Sequence, residues 1–196
     1  RFLNKSLKHS SRLVIKDPRL CLLLPFWLGC LDGVEAKFIF VSRNPGSVLQ
    51  SLQKRDGFSV SVCMMLWLTH TVSAVQAVVD MNFAVFDYDK LLSGDSGRLS
   101  ISRFLGVEPI TVEQWRRVFD PDLKHSHSGG DCSDSFGVIA KNIYEIISSD
   151  CVGDDFNVAD FYREVEVFKR SYFENKHWVA DLNFYSRSLV ESGKEI

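Results

Sequence analysis

The chain has 196 residues and a mass of 22.3 kDa, the size of one ordinary domain. Apolar residues make up 45% and charged residues 24%, which permits a sizeable core and excludes global disorder. The formal net charge is −2, so the charge balance gives no electrostatic basis for nucleic-acid binding. Prolines, glycines and polar residues interrupt the apolar stretches. The sequence therefore predicts a soluble globular protein without a membrane span.

Five cysteines are spread through the sequence, without a C-x-x-C pair or a Cys/His cluster of zinc-site spacing. Because their number is odd and three of them lie in apolar stretches, we interpret them as reduced structural thiols. This predicts a cytoplasmic protein without a metal site. The sequence shows no signal peptide, but it starts at Arg1 instead of Met, so a targeting signal upstream stays an open alternative.

The first part of the chain predicts alternating strands and helices. Residues 11–16 (SRLVIK) form a β-branched run typical of a buried strand, and a helical segment interrupted by a proline follows. Residues 36–42 (AKFIFVS) give the strongest strand signal in the chain. This run leads into Asn44, a good N-cap, and Pro45, which suits the first helical position. A helix is therefore predicted over residues 45–55.

The alternation continues beyond that helix. Residues 59–81 carry Met, Trp, Leu and Val at helical steps, and residues 82–88 (NFAVFDY) predict a third strand. Two shorter helices follow, the first ending at Gly106, and residues 120–135 form a polar loop. The order strand–helix–strand–helix–strand is typical of a parallel sheet flanked by helices. The predicted fold class is therefore α/β.

The composition changes after the polar loop. Residues 136–149 and 156–173 look helical, and the second segment has aromatic residues on one face and charged residues on the other. We therefore divide the chain into an α/β domain over residues 1–135 and a helical extension or lid over residues 136–196.

Arg43 marks a candidate anion site, because open α/β sheets bind ligands where their strands end. It stands at the end of the 36–42 strand, a helix begins at once, and Ser47 and Ser51 lie four residues apart on that helix. A guanidinium beside a helix N-terminus suits phosphate. The structural alternative is a strand-end salt bridge with a surface hydroxyl.

Other polar residues admit a functional and a structural interpretation. Lys16, Asp17 and Arg19 follow the first predicted strand and form either a reactive cluster or a local ion-pair turn. Asp87 ends the third predicted strand and is better suited to capping the next helix than to binding a metal. His70 lies near the apolar face of the long helix, and we interpret it as a core or edge histidine.

Six segments of the sequence resemble the sulfotransferases that use 3′-phosphoadenosine 5′-phosphosulfate (PAPS), in particular the bacterial-type members. They are VIKDPRLCLLLPFWL, KFIFVSRNPGSVLQSLQKR, LWLTH, FAVFDYDKLL, RFLGV and FDPDLKH. The likeness covers residues 11–127, roughly 60% of the chain. Its most specific part is Arg43 with Ser51, a pair that binds the 3′-phosphate of the cofactor in the family. The resemblance implies a P-loop nucleoside-triphosphate-hydrolase-like sulfotransferase architecture.

The resemblance also implies a reaction. A sulfuryl group would pass in line from PAPS to a hydroxyl or amine of a small-molecule or glycan acceptor, without a metal. Lys16 stands where the family commonly has a lysine that faces the cofactor. The histidine base of the cytosolic members is replaced by Pro18. Asp17 is then the nearest candidate base, and Arg19 is a candidate anion contact.

One family signature is missing from the sequence. In the family, a glycine-containing loop after the first strand cradles the 5′-phosphosulfate, but residues 1–10 (RFLNKSLKHS) contain no glycine. We expect that the sequence begins downstream of this loop. The alternative is a catalytically incomplete remnant that acts as an interaction module. A kinase of the same architecture is disfavoured, because the sequence shows neither a G-x-x-x-x-G-K-[ST] loop nor a magnesium ligand.

Overall fold

The computed structural model describes residues 12–31, 33–93, 95–118, 132–148 and 156–174. The elements in these ranges are α1 (Leu20–Leu28), β1 (Phe38–Ser42), α2 (Pro45–Asp56), α3 (Val60–Val78), β2 (Phe83–Asp87), α4 (Tyr88–Ser93), α5 (Asp95–Leu105), α6 (Val112–Val118), α7 (Ser135–Ser148) and α8 (Val158–Glu174). This part of the chain is mixed α/β, as predicted. The glycine-free segment 1–10, most of the predicted loop and the C-terminal part of the predicted extension lie outside the described residues.

The strands β1 and β2 pair in parallel, as the alternation of strands and helices predicts. Phe38 lies opposite Phe83, and Ser42 lies opposite Asp87. A parallel pair needs a crossover connection, and α2 and α3 supply it here. The carboxyl ends of both strands therefore meet at the same edge of the sheet.

One large hydrophobic core joins the sheet to the helices. It contains Leu68 of α3, Val85 of β2, Ile143 of α7 and Phe161 of α8, none of which is more than 1% exposed. The predicted helical extension thus packs on the same core as the α/β part. The boundary at residues 135/136 and the role of a lid stay predictions.

Local signals place α2 where the sequence predicts it. The Asn44 side chain accepts hydrogen bonds from the backbone N–H groups of Gly46 (2.9 Å) and Ser47 (3.3 Å). Pro45 takes the first helical position, where a missing N–H costs no hydrogen bond. Gly57 ends the helix with φ of +70°, a left-handed conformation that glycine adopts without strain.

The strand predicted over residues 11–16 is wrong in its described part. Residues 12–16 have no strand structure, and Val14 is 89% exposed. A β-branched run becomes a strand only where another strand supplies hydrogen bonds and a packing surface. In the described part of the sheet, β1 and β2 pair with each other, and residues 12–16 pair with neither.

Helix α3 is the one described helix that is long and apolar enough to cross a membrane. The mean hydropathy of an 18-residue window in this helix is 1.3, and 56% of that window is buried inside the protein. The helix packs against α1, α2, α7 and β1. Contacts on several sides account for an apolar composition around most of the helix, as in the core helices of globular proteins. The absence of a membrane span stays a prediction.

Replacing Ile143 by alanine tests whether α7 belongs to the core. Ile143 is fully buried, so we expect Ile143→Ala to lower the free energy of unfolding by about 2–5 kcal/mol, through lost burial and a cavity. Val138→Ala, at a position 50% exposed on the same helix, is the control and should cost under about 0.5 kcal/mol. Urea unfolding followed by circular dichroism measures both. A similar small cost for the two variants would contradict the shared core.

Candidate functional site

Arg43 is fixed at the sheet edge where β1 and β2 end. Its guanidinium lies over the ring of Tyr88, with Cζ 5.1 Å from the ring centroid, a cation–π distance. Its carbonyl oxygen accepts a hydrogen bond of 3.0 Å from Nε1 of Trp67. Tyr88, the first residue of α4, therefore holds the Arg43 side chain, and Trp67 of α3 holds its backbone.

A cavity of about 390 Å³ lies beside Arg43, against β1, α2 and α3. Its apolar wall is formed by Phe40, Val41, Val48, Leu52, Phe58, Leu66 and Trp67. Its polar lining is formed by Ser42, Arg43, Arg55, His70 and Thr71. Small-molecule sites have volumes in this range and combine apolar walls with a few polar groups that orient the ligand.

Ser42 is one of the residues beside the cavity, and its hydroxyl is buried. The residue is 2% exposed, and its Oγ has no hydrogen-bond partner among the described residues. A buried polar atom without a partner costs about 1–3 kcal/mol of desolvation. Because the Oγ has almost no accessible surface, a ligand in the cavity reaches it only after a local rearrangement.

Two arginines line the cavity. Arg55 is exposed and forms a salt bridge of 2.7 Å with Asp56, which also accepts hydrogen bonds from the Nε of Arg55. This pairing offsets the charge of Arg55. Arg43 is only partly exposed and lies at the end of β1, over the ring of Tyr88.

His70 reaches the cavity from α3. Its Nδ1 lies 2.8 Å from the carbonyl oxygen of Leu66. Because a carbonyl oxygen only accepts hydrogen bonds, Nδ1 is assigned the proton, and Nε2 of the neutral ring is then an acceptor. The sequence interpretation as a core or edge histidine missed the place of His70 in the cavity lining. The sequence signal is the spacing: His70 follows Leu66 by four residues and Trp67 by three, so the three side chains share one face of the helix.

The N-terminus of α2 contributes less to an anion site than the sequence suggests. Pro45 has no N–H, Gly46 and Ser47 donate to the Asn44 side chain, and the next amide donates to the Asn44 carbonyl. These first amides are therefore already satisfied within the helix and its cap. An anion at this edge depends on the guanidinium of Arg43, with a smaller contribution from the helix dipole.

Ser51 lies beside the cavity and not in its lining. The residue is exposed, whereas Val48, Leu52 and Arg55 form the strip of α2 that lines the cavity. At about 100° per residue, Ser51 is rotated roughly 40° from Arg55 around the helix. The structure thus places Arg43 in the cavity lining and Ser51 next to the residues of α2 that line the same cavity. Their shared binding of a phosphate stays a prediction.

Asp17 and Arg19 form a local ion pair, one of the two alternatives that the sequence left open. Their side chains lie 2.7 Å apart, and the Arg19 backbone N–H also donates to Asp17. The side-chain hydrogen bond from Arg19 lowers the pKa of Asp17 to about 2. A carboxylate with such a pKa is a poor proton acceptor at neutral pH. Lys16 is exposed beside the pair, and the catalytic roles of all three residues stay predictions.

Asp87 connects α4 and α7 to the edge of the sheet. The residue is 4% exposed and accepts hydrogen bonds from the Lys90 backbone N–H (2.9 Å) and the Tyr144 hydroxyl. Burial raises the pKa of Tyr144 above its usual range, and the bond to Asp87 raises it further. The predicted capping role of Asp87 is thus confirmed. Among the described residues, no group of three His, Cys, Asp or Glu side chains could hold a metal ion.

Comparisons with protein-family models, with curated proteins and with solved structures found no match for this chain. The geometry itself defines the candidate site as the edge of a parallel sheet, where a guanidinium and a buried hydroxyl adjoin an apolar cavity.

The Asp17–Arg19 pair can be tested through the pKa of Asp17. Arg19→Ala should raise this pKa from about 2 toward the ordinary value of 3.8. Because the folded-state pKa is the lower one, the stability that the pair adds is present above about pH 4 and is lost as the pH falls through about 2. A carboxyl-detected NMR titration measures the pKa. Lys16→Ala is the control with the smaller shift, and an unchanged Asp17 in Arg19→Ala would contradict the pairing.

Replacing Tyr144 by phenylalanine tests the link between Asp87 and α7. Tyr144→Phe should lower the free energy of unfolding by about 1–3 kcal/mol, because a buried carboxylate loses one of its hydrogen bonds. Tyr162→Phe, at a position 37% exposed on α8, should change it by under about 0.5 kcal/mol. Equal unfolding midpoints in urea for the two variants would show that the hydroxyl of Tyr144 contributes little.

Proposed function

We propose that this chain is a sulfotransferase of P-loop-like architecture that moves a sulfuryl group from PAPS to a hydroxyl or amine acceptor. The main support is the junction of β1, Arg43 and α2 at the edge of a parallel sheet. The strand ends directly before Arg43, a helix capped by Asn44 follows, and the guanidinium lines a cavity of ligand size. The proposal includes a small-molecule or glycan acceptor, a cytoplasmic location and no metal.

The residues at this edge fit the 3′-phosphate end of PAPS. The planar guanidinium of Arg43 can donate two parallel hydrogen bonds to a phosphate, and its ring contact with Tyr88 fixes its position. Ser51 lies on α2 next to the residues that line the cavity, and its hydroxyl can donate a further hydrogen bond. Bound PAPS supplies the sulfuryl group that is transferred, and Lys16 is the candidate for the phosphosulfate end.

Sulfuryl transfer asks the protein for three contributions. It must orient the acceptor, place positive charge near the sulfuryl oxygens and accept the acceptor proton. Lys16 and Arg19 have the positive charge that the sulfuryl oxygens need. Asp17 is a poor acceptor of the acceptor's proton while Arg19 holds the pKa of Asp17 near 2. The proposed reaction therefore requires that this pair open on substrate binding, or that another group act as base.

A second candidate function is an interaction module that has the fold without transfer activity. The observation in its favour is the ion pair between Asp17 and Arg19, because two of the three candidate catalytic residues bind each other at the surface. Arg43 in the cavity supports ligand binding under both functions. Transfer activity therefore distinguishes the two, and binding of the nucleotide does not.

Adenosine 3′,5′-bisphosphate, the product form of PAPS, should raise the melting temperature of the protein. A ligand that binds only the folded state adds about 2.7 kcal/mol of stability at 100 times its Kd. Arg43→Ala and Ser51→Ala should abolish most of the rise, whereas Arg116→Ala, an exposed arginine on α6, should retain it. Adenosine 5′-monophosphate, which lacks the 3′-phosphate, should give a smaller rise.

Two outcomes decide between the functions. Transfer of a labelled sulfuryl group from PAPS to phenols, sugars or amines would support the enzyme, whereas bisphosphate binding without transfer would support the module. An absence of any melting shift with the bisphosphate would contradict PAPS binding by this chain.

A further inference from the structure

Helix α1 is apolar on both of its sides. Its nine residues (LCLLLPFWL) include no charged side chain and no hydroxyl or amide side chain. One side of the helix packs against α3, and Leu24 on that side also contacts the large hydrophobic core. A helix at the surface of a globular protein usually has polar residues on its opposite side. The opposite side of α1 is apolar instead.

This outer side of α1 is exposed. Leu22 and Leu23 are each nearly half exposed, and Phe26 is 69% exposed. At about 100° per residue, the three side chains fall within an arc of about 100°, on the side of the helix away from Leu24. We call these three residues the α1 strip. The apolar residues 13–15, which precede the helix, are exposed as well. Adjoining exposed apolar side chains of this kind mark an interaction surface.

Positive charge is concentrated in the sequence directly before the α1 strip. Residues 1–19 contain six Lys and Arg residues and one acidic residue, which gives a net charge of +5. Because the whole chain has a net charge of −2, residues 20–196 together have −7. The acidic residue, Asp17, pairs with Arg19, so the excess comes from the other basic residues, among which Lys16 is exposed. Basic residues beside exposed Leu and Phe are typical of helices that lie on anionic membranes.

Two other partners match these features less well. A second copy of the chain would bring the same basic segment, so charge repulsion opposes the packing of two α1 strips on each other. A nucleic acid would match the charge, but its interfaces with proteins are mainly polar and leave exposed Leu and Phe without a partner. A bilayer with anionic lipids offers negative head groups and acyl chains together.

We propose that α1 and the basic segment before it bind the surface of a membrane that contains anionic lipids. The α1 strip enters the boundary between head groups and acyl chains, roughly 5–10 Å deep, and the basic segment attracts the negative head groups. With nine residues, α1 is about 13.5 Å long, so it lies on a bilayer whose hydrocarbon core is about 30 Å thick and does not cross it. This surface goes beyond the proposed function and does not depend on it, because no residue of α1 lines the cavity beside Arg43.

Cosedimentation of the whole chain with lipid vesicles tests the proposal. Vesicles of phosphatidylcholine and phosphatidylserine in equal parts should bind the protein at least about tenfold more strongly than vesicles of phosphatidylcholine alone. Added sodium chloride should reduce this difference, because it screens the attraction between the basic segment and the head groups. Equal binding to the two kinds of vesicle, or no binding to either, would overturn the proposal.

Single substitutions locate the surface that binds the vesicles. Phe26→Ser should weaken binding to the anionic vesicles about tenfold, because its ring no longer enters the bilayer. Lys16→Gln should weaken it about threefold to fivefold. Phe173→Ser, which removes a ring that is 62% exposed on α8, should leave binding unchanged. Circular dichroism verifies the fold of each variant, and unchanged binding by folded Phe26→Ser and Leu23→Ser would overturn the proposal.

Two further measurements separate this surface from a protein interface and from the proposed function. Sedimentation velocity without lipid should show no self-association, and self-association that Phe26→Ser abolishes would assign the α1 strip to a second copy and overturn the proposal. The melting shift with adenosine 3′,5′-bisphosphate should be the same in Phe26→Ser as in the unaltered chain. Vesicle binding without any bisphosphate shift would support the membrane surface and contradict the sulfotransferase, and a bisphosphate shift without vesicle binding would do the reverse.

Discussion

The parallel pairing of β1 with β2 is the constraint on which the other features of this protein depend. Parallel strands cannot be joined by a tight turn, so the chain must leave the sheet and return, and α2 and α3 make that connection. The connection places α3 in the core, where it contacts α1, α2, α7 and β1. It also brings Arg43, at the end of β1, next to Tyr88, directly after β2.

Packing from the C-terminal part of the described chain holds this edge in place. Helix α7 contributes Ile143 to the core and Tyr144 to the hydrogen bond with Asp87. The Tyr144 ring also packs edge-on against Trp67, with centroids 6.5 Å apart, and Trp67 binds the Arg43 carbonyl. The position of Arg43 thus depends on residues far from it in sequence. A site supported in this way is pre-organised, which reduces the entropy lost on ligand binding.

Three arginines have different surroundings in this structure. Arg55 and Arg19 each pair with an adjacent or nearby carboxylate, so their charges are largely offset. Arg43 lies over the ring of Tyr88 at the end of β1 and lines the cavity. This position at the sheet edge is why the proposed phosphate site centres on β1 and α2. The pair between Asp17 and Arg19 is why the reaction proposed for Asp17 needs a rearrangement before proton transfer.

The sequence by itself determined the features that depend on near neighbours. The Asn44 cap, Pro45 in the first turn of α2, the glycine after that helix and the strands β1 and β2 follow from contacts within a few residues or from periodicity. Only the tertiary structure decided the others. Residues 12–16 have the composition of a strand but no strand to pair with, and pairing is a property of the whole sheet. His70 has the spacing of a core residue on α3, yet it lines a cavity, because β1 and α2 leave space beside it. Helical periodicity gives the direction in which a side chain points, whereas the distance to the element opposite depends on how the whole chain packs.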